Sequence, residues 1–408
     1  MLETNSDRVL KDLYDLRKIG AFKTGVHRPT LSPEDMEARH WLVDRLKAIG
    51  HEACIDGVAN VFGRSPGEGP HVLAGSHIES QNHAGWLDGA LGVVYALEAA
   101  RAAAEDKTIA GGVDVMAFAD EEGHFSGSFL GSKSFVGALS EEAMDAAFDR
   151  SGRGSLRHCL KEAGLADRPR VQWEPGRYKA FFEAHIEQGD RLESEGLSIG
   201  VVTSIVAIWQ YRILFAGEQN HAGTTTMKSR KDAGKALLNL WRRIEQVFPD
   251  IAGPFSVWTT GSIALEPGAP SIIPGRAEMI FQFRDAEQAV LDRMHAHLLE
   301  LVAEVDAEGP CRVEIEILGQ LTPALMAPGP KEALIEAVAT WAPDDYKIMP
   351  SGAAHDAQVI AAHIPSAMMF VPSIGGISHH WSENTSDEHI KLGAKVFVEA
   401  TDRMLRSA

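Results

Sequence analysis

Residues 71–92, His-Val-Leu-Ala-Gly-Ser-His-Ile-Glu-Ser-Gln-Asn-His-Ala-Gly-Trp-Leu-Asp-Gly-Ala-Leu-Gly, constrain this chain more than any other stretch. An apolar run ends at Gly75-Ser76-His77, a polar loop follows, and Asp88-Gly89 opens a small-residue helical pattern. Strand, loop and helix in that order belong to an α/β architecture. In open α/β sheets, ligands bind at the carboxyl ends of the strands. His77 and Asp88 fall at that end, and both side chains are good ligands for a divalent metal.

The 408 residues make two or more domains the expectation, and 45% hydrophobic content fits large cores. The net charge of −18 argues against nucleic acid or an anionic membrane as a partner. Cys54, Cys159 and Cys311 are scattered with no paired spacing, which points to a reducing, cytoplasmic location. The first residues, Met-Leu-Glu-Thr-Asn-Ser-Asp-Arg, lack an apolar segment, so no signal peptide is expected. No apolar run reaches the length of a membrane span.

Apolar periodicity predicts helices over 6–19 and 89–104, and strands near 51–56, 59–64, 71–76, 113–119 and 181–185. Ser32-Pro33-Glu34-Asp35 is a helix start, with a capping serine, a proline suited to the first turn and acids facing the positive end of the dipole. That helix should close at Gly50. Several helices are expected over 128–165, and one beginning after Ile186. Residues 200–320 then read as strand 201–216, helix 230–247, strands 255–264 and 276–284, helix 286–305 and strand 311–319. This βαββαβ order is ferredoxin-like. The α/β pattern resumes with a helix at 330–342, a strand at 365–371 and a helix at 387–406. The reading is therefore a mixed-sheet α/β catalytic domain over 1–205 and 325–408, interrupted by an inserted domain over 206–324.

Five places combine a strand end with metal-compatible side chains: His77, Asp88, the pair Glu121-Glu122, His185 and His379. Each alone has an ordinary structural explanation. Their weight lies in coincidence, because several follow a buried strand directly and a sheet would gather them at one edge. Two divalent ions about 3.5–4 Å apart need roughly two terminal ligands each and a bridging carboxylate. Asp88 suits the bridge, and His77, His185, Glu122 and His379 suit the terminal positions. Glu121 is then left beside the metals, where a general base belongs. Mixed histidine and carboxylate donors favour Zn, Mn, Co or Ni over Ca.

The motifs resemble the M20-type metallohydrolase superfamily, and within it the amidohydrolase branch of N-carbamoyl-L-amino-acid hydrolases, β-ureidopropionase, and allantoate and ureidoglycolate amidohydrolases. The resemblance spans nearly the whole chain. It rests on Gly75-Ser-His77, Asp88-Gly89, Asp120-Glu-Glu-Gly123, Ala184-His-Ile-Glu-Gln-Gly189, Asn220-His-Ala-Gly-Thr-Thr225, Ser351-Gly-Ala-Ala-His-Asp356 and Gly376-Ile-Ser-His379. It implies two divalent metals on His77, Asp88, Glu122, His185 and His379, with Glu121 as base and then acid. It also implies that Gln188 holds substrate, that His221 stabilises the oxyanion, that Arg284 pairs with a substrate carboxylate and that His355 lies near the site. His185 separates the ureido-hydrolysing branch from peptidases, which usually carry a carboxylate there.

The implied activity is hydrolysis of a linear C–N bond in a small carboxylated ureido or amide compound, an N-carbamoyl amino acid above all, by a metal-activated water. The inserted domain would serve as lid and homodimer surface. An aminoacylase or dipeptidase of the same fold, or a catalytically silent binding protein, are the competing readings. Several positions depart from the family pattern: Glu79 stands where Asp is usual, His124 where Arg is common, Thr226 for Pro, Ser271 for Asn, Gln282 where Asp is frequent and Ala354 for Gly. The segment from Gln81 to Leu87, including Trp86, also differs. These departures cluster around the substrate and imply retained chemistry on an altered substrate.

Overall fold

The computed structural model describes residues 1–407 apart from Ser126 and Ser128. The predicted helical region 128–165 thus begins on a residue outside the described set. From Leu130 it holds three short helices, Leu130–Phe135, Glu141–Ala146 and Leu156–Glu162.

The described residues form two compact units, one of Met1–Thr203, Ala324–Met349 and His355–Ala408, the other of Ser204–Pro323 and Pro350–Ala354. The first is built on a nine-stranded mixed sheet. Its centre is four parallel strands side by side: Ser366–Val371, Tyr178–Ile186, His71–His77 and Gly112–Phe118. Strands His71–His77, Gly112–Phe118 and Ser366–Val371 are buried at every residue, as expected for parallel strands covered on both faces. Val61–Arg64 and Glu52–Ile55 extend one side antiparallel, and Ile199–Ile205 extends the other.

The helix Ala90–Glu105 is buried along nearly its whole length: it is mostly Ala, Val and Leu, and its buried Glu98 and Arg101 pair with Arg8 and Asp12. Asp387–Arg406 is amphipathic and capped by Ser386, whose side chain accepts from the His389 N–H. It carries Asp387 and Glu388 in its first turn and Arg403 and Arg406 in its last, so both ends suit the dipole. The buried Tyr95 hydroxyl donates to the Ile390 carbonyl at 2.5 Å and ties these two helices together.

The second unit is a four-stranded antiparallel sheet in the order Val257–Glu266, Arg276–Asp285, Ala207–Ala216, Arg312–Gln320, with helices Ala233–Ile251 and Gln288–Glu308. That is the ferredoxin-like strand order. Its core is separate and aromatic-rich, with Tyr211, Phe215, Phe248, Phe281 and Phe283.

Two expectations need correction. The predicted strand 201–216 is two strands, Ile199–Ile205 in the large sheet and Ala207–Ala216 in the small one. The apolar run Ile205-Val-Ala-Ile-Trp209 gives no sign of the change of sheet at Val206. The helix expected after Ile186 is only Arg191–Glu195, because Gln188 takes a positive φ of 60°. The strand Tyr346–Ser351 and the helix Asp356–Ile360 were not foreseen.

Candidate metal centre

The parallel strands deliver the candidate residues to one edge. His77 ends its strand, His185 sits one residue before the end of the next, and Glu121 and Glu122 follow the strand that closes at Phe118. Asp120, between them, is held at φ 56° by Thr30 and by the N–H groups of His124 and Phe125, which turns the chain sharply. His379 arrives on the loop after Ser366–Val371, also at positive φ. Gly89 begins the helix at φ +67°, and a Cβ there would lie 2.4 Å from the His77 ring, so only glycine lets helix and ligand approach this closely.

The five predicted ligands converge on Asp88. Its Oδ1 lies 3.1 Å from His185 Nε2 and 3.5 Å from His77 Nε2. Its Oδ2 lies 3.3 Å from His379 Nε2, which is 3.5 Å from Glu122 Oε2. Two donor groups result, His77–Asp88–His185 and Asp88–Glu122–His379, each with its ligand atoms within 4.8 Å of one another. They share only Asp88. Glu121 belongs to neither, with Oε2 3.8 Å from His77 Nε2.

The electrostatics fit a cation. Burial opposes the charge on Asp88, yet hydrogen bonds from His185, His379 and His77 hold its pKa well below the usual value. Burial likewise opposes a charged His77, but Asp88, Glu121 and Glu79 outweigh it and raise it well above normal. The bond to Asp88 lifts His379 to about 9. Burial pushes Glu121 well up, with Glu122, Asp356 and Asp88 adding repulsion, and Glu122 rises through burial and Asp88. Glu121 and Glu122 thus resist ionisation while His77 and His379 hold their protons, so these crowded carboxylates favour added positive charge. Glu122 Oε1 is buried with no hydrogen-bond partner among the described residues, as a ligand atom would be. The donor set therefore fits divalent metal.

The supporting contacts fix the ligand rings. His77 Nδ1 faces the Glu79 carbonyl at 3.1 Å and His185 Nδ1 the Ile186 carbonyl at 2.9 Å, which leaves each Nε2 to face the site. The Glu79 side chain does not clamp His77, from which it stands 3.9 Å away. It bridges instead, with Oε2 2.7 Å from Arg39 Nη2 and Oε1 accepting the Glu121 N–H at 2.8 Å. Arg39 is fully buried and also reaches Asp35 at 2.9 Å and the Ala59 carbonyl at 2.7 Å. Glu79 thus spans from Arg39 to the Glu121 backbone.

Gln188 lies at the cluster, with Nε2 donating to Asp88 Oδ2 at 3.1 Å and to Ser378 Oγ at 3.1 Å. His355 is buried with its ring 4.6 Å from that of His185, and burial followed by His185 repulsion drives it well below its normal pKa, so it is neutral. His221 and Arg284 belong to the second unit. His221 Nδ1 accepts the N–H groups of Gly223 and Thr224 at 3.0 and 3.1 Å, which puts the ring proton on Nε2 and makes that atom a donor. Arg284 is half-buried and donates to the Gly352 carbonyl at 3.4 Å.

Glu383 escaped the sequence reading. Its Oε1 accepts the N–H groups of Leu87 and Asp88 at 3.2 and 3.1 Å, and burial with Asp88 repulsion raises it to about 8. Gly85 packs against it so closely that a Cβ would come within 1.8 Å of Oε1. Arg39 and Glu183 were also missed; Glu183 accepts from Ser76 Oγ at 2.7 Å and the Ala357 N–H at 2.8 Å. The Asp35–Arg39 spacing of four on a helix was the one available signal, and it does not reveal burial.

Histidine and carboxylate groups sharing one aspartate at the carboxyl edge of an α/β sheet define a divalent-metal hydrolase site. The chain belongs to Peptidase family M20/M25/M40, whose pattern matches residues 70–403. It is 32% identical over 411 residues to an N-carbamoyl-L-amino-acid amidohydrolase of Paenarthrobacter aurescens, covering 98% of this chain and 99% of that protein. It is 35% identical over 383 residues to the allantoate amidohydrolase of Escherichia coli K12, covering 92% of each. The crystal structure of an amidase of the hydantoinase/carbamoylase family from Burkholderia phymatum superposes with a TM-score of 0.92 at 44% identity, covering 99% of this chain and 98% of that one. Among the described residues no helix is long and apolar enough to cross a membrane.

Proposed function

We propose that this enzyme hydrolyses a linear C–N bond in a small carboxylated ureido compound, with N-carbamoyl amino acids as the first substrate class. The observation that carries the reading is the pair of donor groups sharing Asp88 with Glu121 beside them and bound to neither. His185 as the partner of Asp88, and the likeness to carbamoyl- and allantoate-directed amidohydrolases, support a ureido substrate over a peptide. Zn, Mn, Co and Ni suit the donors. A bound divalent pair supplies carbonyl polarisation and a water of lowered pKa.

The chain's own residues do the rest. Glu121 takes the proton of the attacking water and returns it to the leaving nitrogen. His221 offers its Nε2 proton to the developing oxyanion, and Arg284 pairs its planar fork with the substrate carboxylate. Gln188 orders the substrate at Asp88, and His355, neutral and packed on His185, borders the pocket. An N-carbamoyl amino acid and one water give the free amino acid, ammonia and carbon dioxide. The second unit acts as lid and homodimer surface, and the enzyme works in the cytoplasm.

The test is hydrolysis of a panel of N-carbamoyl amino acids, allantoate-like compounds, N-acyl amino acids and dipeptides, each with Zn, Mn, Co and Ni, read as ammonia for the carbamoyl and ureido compounds and as free amino acid for the N-acyl compounds and dipeptides. Turnover of the carbamoyl or allantoate-like compounds is expected. Turnover of dipeptides alone would overturn the assignment.

A further inference from the structure

Gln81 lies in the segment between His77 and Asp88. Its side-chain amide reaches Glu122 twice, with Nε2 3.0 Å from Oε2 and 3.0 Å from the Glu122 carbonyl. One amide therefore fixes both the backbone and the carboxylate of a single residue. With Oε2 taken, Oε1 is the Glu122 oxygen left buried and without a hydrogen-bond partner among the described residues. The loop that presents Gln81 is itself anchored. Ser80 exchanges hydrogen bonds with Arg28 through its N–H and its Oγ, both at 3.0 Å, and its carbonyl meets His124 Nε2 at 3.0 Å. Arg28 is buried, with Nη1 2.8 Å from the Leu16 carbonyl. Gln188 engages the shared Asp88 in the same manner, with one amide hydrogen on Oδ2.

From this geometry we infer that Gln81 is a positioning residue for the Asp88–Glu122–His379 group: its amide ties the Glu122 carboxylate, through the Oε2 that faces His379, to the Glu122 backbone, and so sets how that carboxylate is presented to a divalent cation. The inference rests on the metal reading of the site. Leucine at this position keeps the bulk and loses the amide, which frees Oε2 and lets the carboxylate rotate. Partners that orient metal ligands typically govern affinity by about 10–100-fold.

The experiment is titration of chelator-stripped full-length protein with cobalt(II), read by calorimetry and by the visible absorption of the bound ion. Wild type is compared with Gln81→Leu and, as a control at the exposed neighbouring position, Asn82→Ala. For Gln81→Leu, we expect cobalt affinity at one group to fall at least about tenfold and the absorption band to change as Glu122 alters its ligation. Asn82→Ala should match wild type, and all three should melt alike without metal. A Gln81→Leu protein with wild-type affinity and spectrum overturns the inference while leaving the metal reading intact. A wild-type protein that takes up no cobalt overturns both.

Discussion

Glu79→Gln removes one negative charge at almost constant volume. Glu79 is fully buried, and its two oxygens serve two donors, Arg39 Nη2 at 2.7 Å and the Glu121 N–H at 2.8 Å. Glutamine has one oxygen to offer. Whichever way its amide turns, an NH₂ group faces Arg39 or Glu121, and one buried donor loses its acceptor, which costs about 1–3 kcal/mol. Breaking a buried ion pair on one side costs about 3–5 kcal/mol. Arg39 keeps Asp35 at 2.9 Å and the Ala59 carbonyl at 2.7 Å, so the lower end applies, about 3 kcal/mol. Urea unfolding of the metal-free protein measures this as a lowered midpoint at constant slope. With the remaining oxygen on Arg39, the Glu121 backbone is the donor left without its anchor, so kcat should fall about 10–100-fold while KM changes little. A variant within about 0.5 kcal/mol of wild type, with unchanged kcat, would refute the bridging role.

Glu121→Gln should lower kcat by about 10²–10⁴-fold while metal uptake stays at the wild-type level, because Glu121 lies outside both donor groups; retained turnover, or lost metal, would remove it as the base. His379 has its pKa raised from 6.5 to about 9, so the folded protein binds more protons than the unfolded chain in that window. Its contribution to the metal-free protein is therefore fully present below pH 6.5 and lost as pH passes about 9, and urea midpoints across the window should fall. The same protons must leave when metal binds, so calorimetry in buffers of different ionisation enthalpy should register net proton release. His221→Ala should cost about 10²–10³-fold in kcat, as loss of an oxyanion donor does; an effect confined to KM would assign His221 to ground-state binding.

The parallel core and its ligand edge were legible because physics repeats there. A strand buried on both faces is a continuous apolar run, and a polar residue just past its end has nowhere to go but the sheet edge, which is why His77, Glu121-Glu122 and His185 could be read from the residues. The break at Val206 was not legible, since apolarity does not say which sheet a strand joins. Arg39 looked like an ordinary helical cation, and Asp35 like a dipole acid in a first turn. Only the fold shows that both are buried and that Glu79 links them to the Glu121 backbone. The sequence reading related Glu79 to His77, whereas in the structure its carboxylate serves the Glu121 backbone. Glu383 and Gln81 act from irregular segments, where no periodicity or motif reports a side chain's target.

The central claim is metal-dependent cleavage of a ureido C–N bond at the paired donor groups around Asp88. It is tested most directly by ammonia release from an N-carbamoyl-L-amino acid, using protein stripped with a chelator and then resupplied with graded divalent metal. Release should vanish after stripping and recover in step with bound metal. Full activity in the stripped protein, or no release at any metal loading, would contradict it.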